Sequence, residues 1–259
     1  MTHPSGTGLL LFKAWKESKA RFLLGAAAIA TLCITVVLFN VQMQNNPGLM
    51  PNGFQATTYS EHVYHFIYSG IAKGLFTMLM LFIGLGGLSR ESRRGTAPFT
   101  LALPVTRTHT ILSQIAVGVL ELLVIAALPL VLIPTLSPLV DRSYPVSESL
   151  HFALLWVGGG LIVFGLAFLC SCLFAGEYTA LVAAFLAVFA VPLLAWVPVL
   201  ERYQLNFLAT MGEFGTMHWD PDHTLLLPSP MPWMRLFVFC GISMGLLWVA
   251  LTVTERQDF

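Results

Sequence analysis

The sequence is short of charge. Only 10% of its 259 residues are Asp, Glu, Lys or Arg, whereas 56% are hydrophobic and the mean hydropathy is +0.78. Because a soluble domain carries about a quarter charged residues, this composition excludes an ordinary soluble domain and predicts surroundings that are mostly lipid. The formal net charge is zero, so the totals do not indicate nucleic acid as a partner.

The sequence also lacks the pattern of an ATPase. A phosphate-binding P-loop needs a lysine that follows a glycine-rich turn and precedes Ser or Thr. None of the four lysines precedes Ser or Thr: Lys13 and Lys19 are each followed by Ala, Lys16 by Glu and Lys73 by Gly. No Ser/His/Asp set or H-E-x-x-H motif is found either, so we expect no enzyme site and no cofactor in this chain.

Metal and disulfide sites have little to be built from. The cysteines lie inside apolar runs, where we expect small core residues: Cys33, Cys170, Cys172 and Cys240. The stretch HWDPDH, residues 218–223, offers two histidines and two aspartates, and a divalent metal is one interpretation of it. Since Asp-Pro-Asp is also an ordinary turn, we expect no metal.

Long apolar stretches dominate what the sequence does contain. A helix needs about 20 largely apolar residues to cross a bilayer, and backbone groups left unpaired in lipid are too costly for other structures. Six stretches qualify: Phe22 to Gln42, Phe66 to Leu88, Ile111 to Leu136, Phe152 to Ala175, Tyr178 to Leu200 and Leu236 to Thr254. The predicted fold is an all-α integral membrane domain, residues 1–259, with six transmembrane helices.

Basic residues predict the orientation, since Lys and Arg accumulate on the cytoplasmic side. One orientation places most of them there: Lys13, Lys16, Lys19, Arg21, Arg90, Arg93, Arg94, Arg107 and Arg256. Both termini are then cytoplasmic. Leu11, Trp15 and Phe22 repeat at helical spacing between lysines, which predicts an interfacial helix at about residues 8–21; a disordered basic tail is the alternative.

The longest internal cytoplasmic connection, at about residues 89–110, contains ESRRGTAPFTLALPVTR at 91–107. Gly95 and Thr96 are expected to end one helix and cap a short new one, which Pro104 stops. Phe99, Leu101 and Leu103 then form an apolar surface that faces no lipid, rimmed by arginines. We expect this surface to dock on a cytoplasmic protein; a basic loop that only fixes topology is the alternative.

The order of residues in this segment resembles the ABC type-2 permease family, the membrane subunits of ATP-driven exporters. The matching positions are Glu91, Gly95, Thr96, Leu103, Pro104, Val105, Thr106 and Arg107. The resemblance extends to the six spans, the interfacial helix and an outer loop at about residues 201–235, which in the family forms a lid. It covers nearly the whole chain and says nothing about the substrate.

The resemblance implies that the segment is a coupling helix, docked through residues 99–103 and braced by Glu91 and Arg107. Two copies of a separate ABC ATP-binding subunit would bind ATP and Mg²⁺. The permease would be a homodimer, or would pair with a second permease, in a bacterial-type inner membrane with lipid around it. Movement of the helices would then carry the substrate outward.

Lys73 and Glu121 are the full charges placed well inside predicted spans. A charge at the bilayer centre costs about 2.5 to 3.5 kcal/mol on insertion scales, so both need a reason to be there. An ion pair between neighbouring antiparallel helices is the expectation; the alternatives are that one or both face a substrate passage, or that Lys73 contacts a ligand or proton. An ion-coupled secondary transporter and a non-transporting membrane anchor for an ATPase are the rival functions.

Overall fold

The computed structural model describes residues 6–40, 59–85, 107–174, 176–194, 206–212, 218–219, 225–226 and 231–256. Within these ranges the chain is almost entirely helical. The helices are α1 (Gly6–Leu38), α2 (Tyr59–Val63), a π-helical turn (Tyr64–Tyr68), α3 (Ile71–Gly84), α4 (Arg107–Leu136), a 3₁₀ turn (Ser137–Val140), α5 (Val146–Leu173), α6 (Glu177–Leu194), α7 (Phe207–Thr210) and α8 (Trp233–Arg256). Two short strands, β1 (His218–Trp219) and β2 (Leu225–Leu226), pair antiparallel.

In the described part of the chain, five helical segments are long and apolar enough to cross a membrane. They are Gly8–Leu38, Tyr59–Gly84, Thr108–Val140, Val146–Leu173 and Trp233–Arg256. This confirms the predicted helical character and five of the predicted positions. The remaining predicted span coincides with α6, whose apolar part, Tyr178–Ala190, is shorter.

The first two spans differ from the prediction in how they begin. α1 is one unbroken helix of 33 residues, so the residues predicted to form a separate interfacial helix are its first half. At 1.5 Å per residue α1 is about 50 Å long, more than a hydrocarbon core of about 30 Å. The second span is interrupted at Ser69 and Gly70, where a Cβ on Gly70 would collide with the carbonyl oxygen of His65. Glycine is therefore required at this break.

The helices alternate in direction through the first four long elements. Arg21 and Gly25 of α1 lie beside Phe82 and Leu79 of α3, in opposite chain order, and Gly118 and Leu122 of α4 lie beside Phe164 and Gly160 of α5, also in opposite order. Phe76 and Gly84 of α3 lie beside Gly160 and Ala167 of α5 in the same order. These contacts make α1 parallel to α4, and make α3 and α5 antiparallel to both. One end of the bundle, here called the basic end, holds the start of α1 and α4 and the last turns of α3 and α5. The other is called the tyrosine end after its buried side chains, which are Tyr59, Tyr64, Tyr68 and Tyr144.

α5 is the central helix of the bundle. In its most apolar 18-residue window 72% of the residues are buried, against 22% in α8. Three successive glycines, Gly158, Gly159 and Gly160, lie against Leu236, Met211 and Phe76, which belong to different neighbours. Because a glycine presents no side chain, α8, the turn after α7, and α3 all approach α5 closely at one level.

α8 runs parallel to α5 rather than antiparallel to it. Leu236, Leu246 and Thr254 follow one another beside Gly158, Gly165 and Cys172 of α5. At its last turn Glu255 accepts a hydrogen bond of 3.0 Å from Thr108 of α4. The final described helix therefore ends at the basic end, where α1 begins.

Candidate functional site

The predicted coupling segment is framed by the ends of two helices at the basic end. α3 ends at Gly84 and α4 begins at Arg107, the last residue of the matched pattern. The other predicted coupling residues lie outside the described residues: Glu91, Gly95, Thr96, Phe99, Leu101, Leu103 and Pro104. The structure thus describes the helices that carry this segment.

Polar bonds tie these helix ends to one another. The Arg21 guanidinium of α1 donates to the carbonyl oxygen of Phe82 near the end of α3. The Ser18 hydroxyl of α1 donates to Oε1 of Glu121 in α4. These two bonds link α3 and α4 to α1.

A partly open crevice lies where α1, α4 and α5 meet at the basic end, with room for about 30 Å³ of small molecules such as water. Its polar lining comes from Glu17, Ser18 and Arg21 of α1 and from Gln114 and Glu121 of α4. Phe164 and Phe168 of α5, with Ile83, Val117, Gly118 and Ala14, supply the apolar lining. We call this space the Glu121 crevice.

Glu121 is the most deeply buried charge-bearing residue of the crevice. Its side chain is 1% exposed. One carboxylate oxygen accepts the Ser18 bond, and the other, Oε2, has no hydrogen-bond partner. Oε1 of Gln114, two turns earlier on α4, is also buried without a partner. The crevice therefore has two unused acceptors.

Lys73 does not pair with Glu121, so the predicted ion pair is wrong. Nζ of Lys73 lies 3.5 Å from the carbonyl oxygen of Leu208 in α7, whereas Glu121 bonds Ser18 in α1. The two residues lie at different levels of the bundle: Glu121 lines the crevice together with Ile83 near the end of α3, whereas Lys73 lies beside Leu208 and Gly212 toward the tyrosine end. Residue counts along two helices do not fix how the helices are shifted along their axes against each other.

At the tyrosine end a buried aromatic cluster replaces the crevice. Tyr68 stacks on Phe152 with ring centroids 4.0 Å apart and planes within 10°, and Phe76 stacks on Trp156 at 4.8 Å. Tyr59 shares a hydrogen bond of 2.7 Å with Ser137 of the 3₁₀ turn. These contacts join α2, the π-helical turn, α3, the 3₁₀ turn and α5 into a densely packed layer.

Glu148 lies in this aromatic cluster, on the first turn of α5, and is only 8% exposed. The hydroxyl of Tyr144 lies beside its carboxyl group, yet Oε2 of Glu148 has no hydrogen-bond partner. Burial raises the pKa of Tyr144 well above its usual range, so this hydroxyl stays protonated. Glu148 was not among the candidate residues of the sequence analysis. Its spacing of four from both Tyr144 and Phe152 was the signal that it shares an aromatic helix face.

The remaining predictions for this end concern the outer loop. Of HWDPDH, the structure describes His218 and Trp219, which pair with β2. No group of three or more metal-ligating side chains occurs among the described residues. Phe207 and Met211 are buried against α5, and Tyr64 donates a hydrogen bond to the carbonyl of Gly212. This part of the loop packs into the bundle.

The four cysteines are free thiols, and three of them are buried in the bundle.

Compared with protein-family models and with curated protein sequences, the chain gives no match. The features that bear on function are therefore the sequence of the segment between α3 and α4 and the geometry at the two ends of the bundle.

Proposed function

We propose that this chain is the membrane permease subunit of an ATP-driven ABC exporter, coupled to a separate ATPase. The observation that carries the proposal is the pattern E-x-x-x-G-T with L-P-V-T-R, which ends at the first residue of α4. It connects α3, whose last turn is bonded to Arg21 of α1, with α4, whose middle is bonded to Ser18 of α1. A partner that moves this segment would move three helices together.

A six-crossing topology is part of the proposal. α5 ends at the basic end, and α8 begins at the tyrosine end because it runs parallel to α5. The chain between them must return across the bundle. α6 is 18 residues long, about 27 Å at 1.5 Å per residue, and lies directly after α5. With α6 as the sixth crossing, both chain ends lie on one side, which the basic residues make cytoplasmic.

The ATPase would act through the basic end. In the proposed complex, the apolar residues Phe99, Leu101 and Leu103 dock on the ATP-binding subunit, and Glu91 and Arg107 brace the segment. ATP binding and hydrolysis there shift α3 and α4, and the bonds of Arg21 and Ser18 carry the shift into α1. The aromatic cluster moves less, since its packed rings join four elements.

Copurification with an ATPase tests the proposal. The tagged chain is extracted from its native membrane, and copurifying proteins are examined for a P-loop subunit in a ratio of about one per permease. The variant Phe99→Asp/Leu101→Asp should lose that subunit because two charges would enter an apolar contact. Leu139→Asp, an exposed position in the 3₁₀ turn, is the matched control and should keep it.

Vesicle transport separates the rival functions. The purified complex in sealed vesicles should move a substrate only when ATP is present on the side of the basic end. Movement driven by an ion gradient without ATP would instead identify a secondary transporter. ATPase binding without any vectorial movement would identify a membrane anchor, and an ATPase retained by the double variant would refute the docking surface.

A further inference from the structure

The lining of the Glu121 crevice contains two buried hydrogen-bond acceptors that no donor among the described residues satisfies. Oε2 of Glu121 and Oε1 of Gln114 are both buried and unpartnered, while Nη1 of Arg21 donates to the carbonyl of Phe82 outside the crevice. A buried acceptor left unpaired costs about 1 to 3 kcal/mol. An occupant that donates hydrogen bonds would remove this cost at both positions.

The charge of the lining selects a positive occupant. The crevice is lined by two carboxylates, Glu17 and Glu121, and by one guanidinium, Arg21, which sum to one negative charge when all are ionised. The rings of Phe164 and Phe168 form another wall, and the face of an aromatic ring attracts a cation. An anion would meet two carboxylates and the unpaired carbonyl oxygen of Gln114.

The number of oxygen ligands that a metal ion needs and the number of N–H groups that an ammonium ion offers narrow the class of cation. Ca²⁺ takes six to eight oxygen ligands and Mg²⁺ six, whereas only two oxygens of this crevice are buried without a hydrogen-bond partner. A quaternary ammonium has no N–H to donate. We propose that the Glu121 crevice binds a primary ammonium group, which donates to Oε2 of Glu121 and against which the phenylalanine rings pack.

The position of the crevice on α1 indicates where such a group comes from. Lys16 and Lys19 are exposed beside it, and Leu23 and Leu24 are exposed one turn further along the same helix. A change from exposed lysine to exposed leucine marks the headgroup level of a membrane, given the proposed topology. An aminophospholipid headgroup and a soluble primary amine both carry the required ammonium, and lysines at this level suit the phosphate of the former.

The test uses the purified chain without its ATPase, so a failure here is distinct from a failure of the proposed function. The protein is placed in nanodiscs of phosphatidylethanolamine or of phosphatidylcholine, and its thermal unfolding and retained lipid are measured. We expect the ethanolamine lipid to raise Tm and to be retained about tenfold over the choline lipid. Ethanolamine added to choline-lipid nanodiscs tests the soluble source.

Two variants of the crevice and one control variant test whether the preference for the amine arises at Glu121. Glu121→Gln should abolish the preference for the amine, and Gln114→Leu should reduce it while leaving the Ser18 bond in place, in case Glu121→Gln does not fold. Glu148→Gln removes an equally buried carboxyl at the other end and should keep the full preference. Equal Tm and retention in both lipids, with no response to ethanolamine, would mean that only water fills the crevice and would overturn the proposal. A response to ethanolamine alone would support the site and assign it to soluble amines.

Discussion

Among the described residues each end of the bundle buries one carboxyl group, but the surroundings of the two groups differ. Glu121 at the basic end bonds Ser18, lies near Arg21 and faces a crevice. Glu148 at the tyrosine end lies beside the Tyr144 hydroxyl within a cluster of stacked rings. Polar bonds with space beside them can rearrange at small cost, whereas close-packed rings cannot. The comparison indicates an adjustable basic end and a rigid tyrosine end.

The largest effect should come from opening the rigid end. Trp156→Ala removes a fully buried ring that stacks on Phe76, and we expect a loss of about 3 to 5 kcal/mol in the free energy of unfolding. Lipid is as apolar as the core, so the loss is mainly one of packing contacts. Unfolding in mixed micelles measures it. Trp248→Ala, at a site 70% exposed on α8, is the control and should cost far less. Equal losses would refute a packed tyrosine end.

A smaller effect should follow from forcing helices apart near the basic end. A Cβ on Gly84 of α3 would lie 2.6 Å from Cβ of Ala167 and 2.9 Å from the carbonyl oxygen of Phe164, neither of which can turn away. Gly84→Ala should therefore cost about 1 to 3 kcal/mol. A Cβ on Gly245 of α8 would meet nothing within 4 Å, so Gly245→Ala should be neutral in the monomer. The same unfolding assay compares them, and a neutral Gly84→Ala would show that this end adjusts even to backbone crowding.

The two carboxyls themselves give the most direct comparison. Glu121→Gln removes the negative charge beside Arg21 and weakens the bond from Ser18, with an expected cost of about 1 to 3 kcal/mol. Glu148→Gln removes a buried acid whose closest polar neighbour is a neutral hydroxyl, so we expect little loss or a gain in stability. Both variants are unfolded in phosphatidylcholine micelles without added amine. A larger loss at Glu148 than at Glu121 would reverse the interpretation of the two ends.

Periodicity and composition predicted the long helices well, because uninterrupted apolar runs have few alternatives in lipid. The break at Gly70 and the continuity of α1 were missed, since both depend on how neighbouring helices pack and not on local apolar content. The partner of Glu121 was mispredicted for a related reason. Residue counts placed it level with Lys73, but the packing of α3 against α4 puts Glu121 nearer the basic end, beside Ser18. Glu148 was not singled out, because its burial depends on aromatic rings that other helices bring to it.

The smallest expected effect comes from removing a single hydroxyl group at the tyrosine end. Tyr59→Phe removes the hydroxyl that lies 2.7 Å from Oγ of Ser137, but Ser137 keeps its own hydrogen bond of 2.6 Å to the carbonyl of Ile133. No group is left unpaired, so the loss should be about 0.5 to 1 kcal/mol. Ser18→Ala at the basic end deletes one hydroxyl too, yet it leaves both oxygens of Glu121 without a hydrogen-bond donor and should cost about twice as much in the same assay. Equal losses in the free energy of unfolding would mean that Glu121 accepts a hydrogen bond from another donor in the variant. The basic end would then rearrange more readily than we expect.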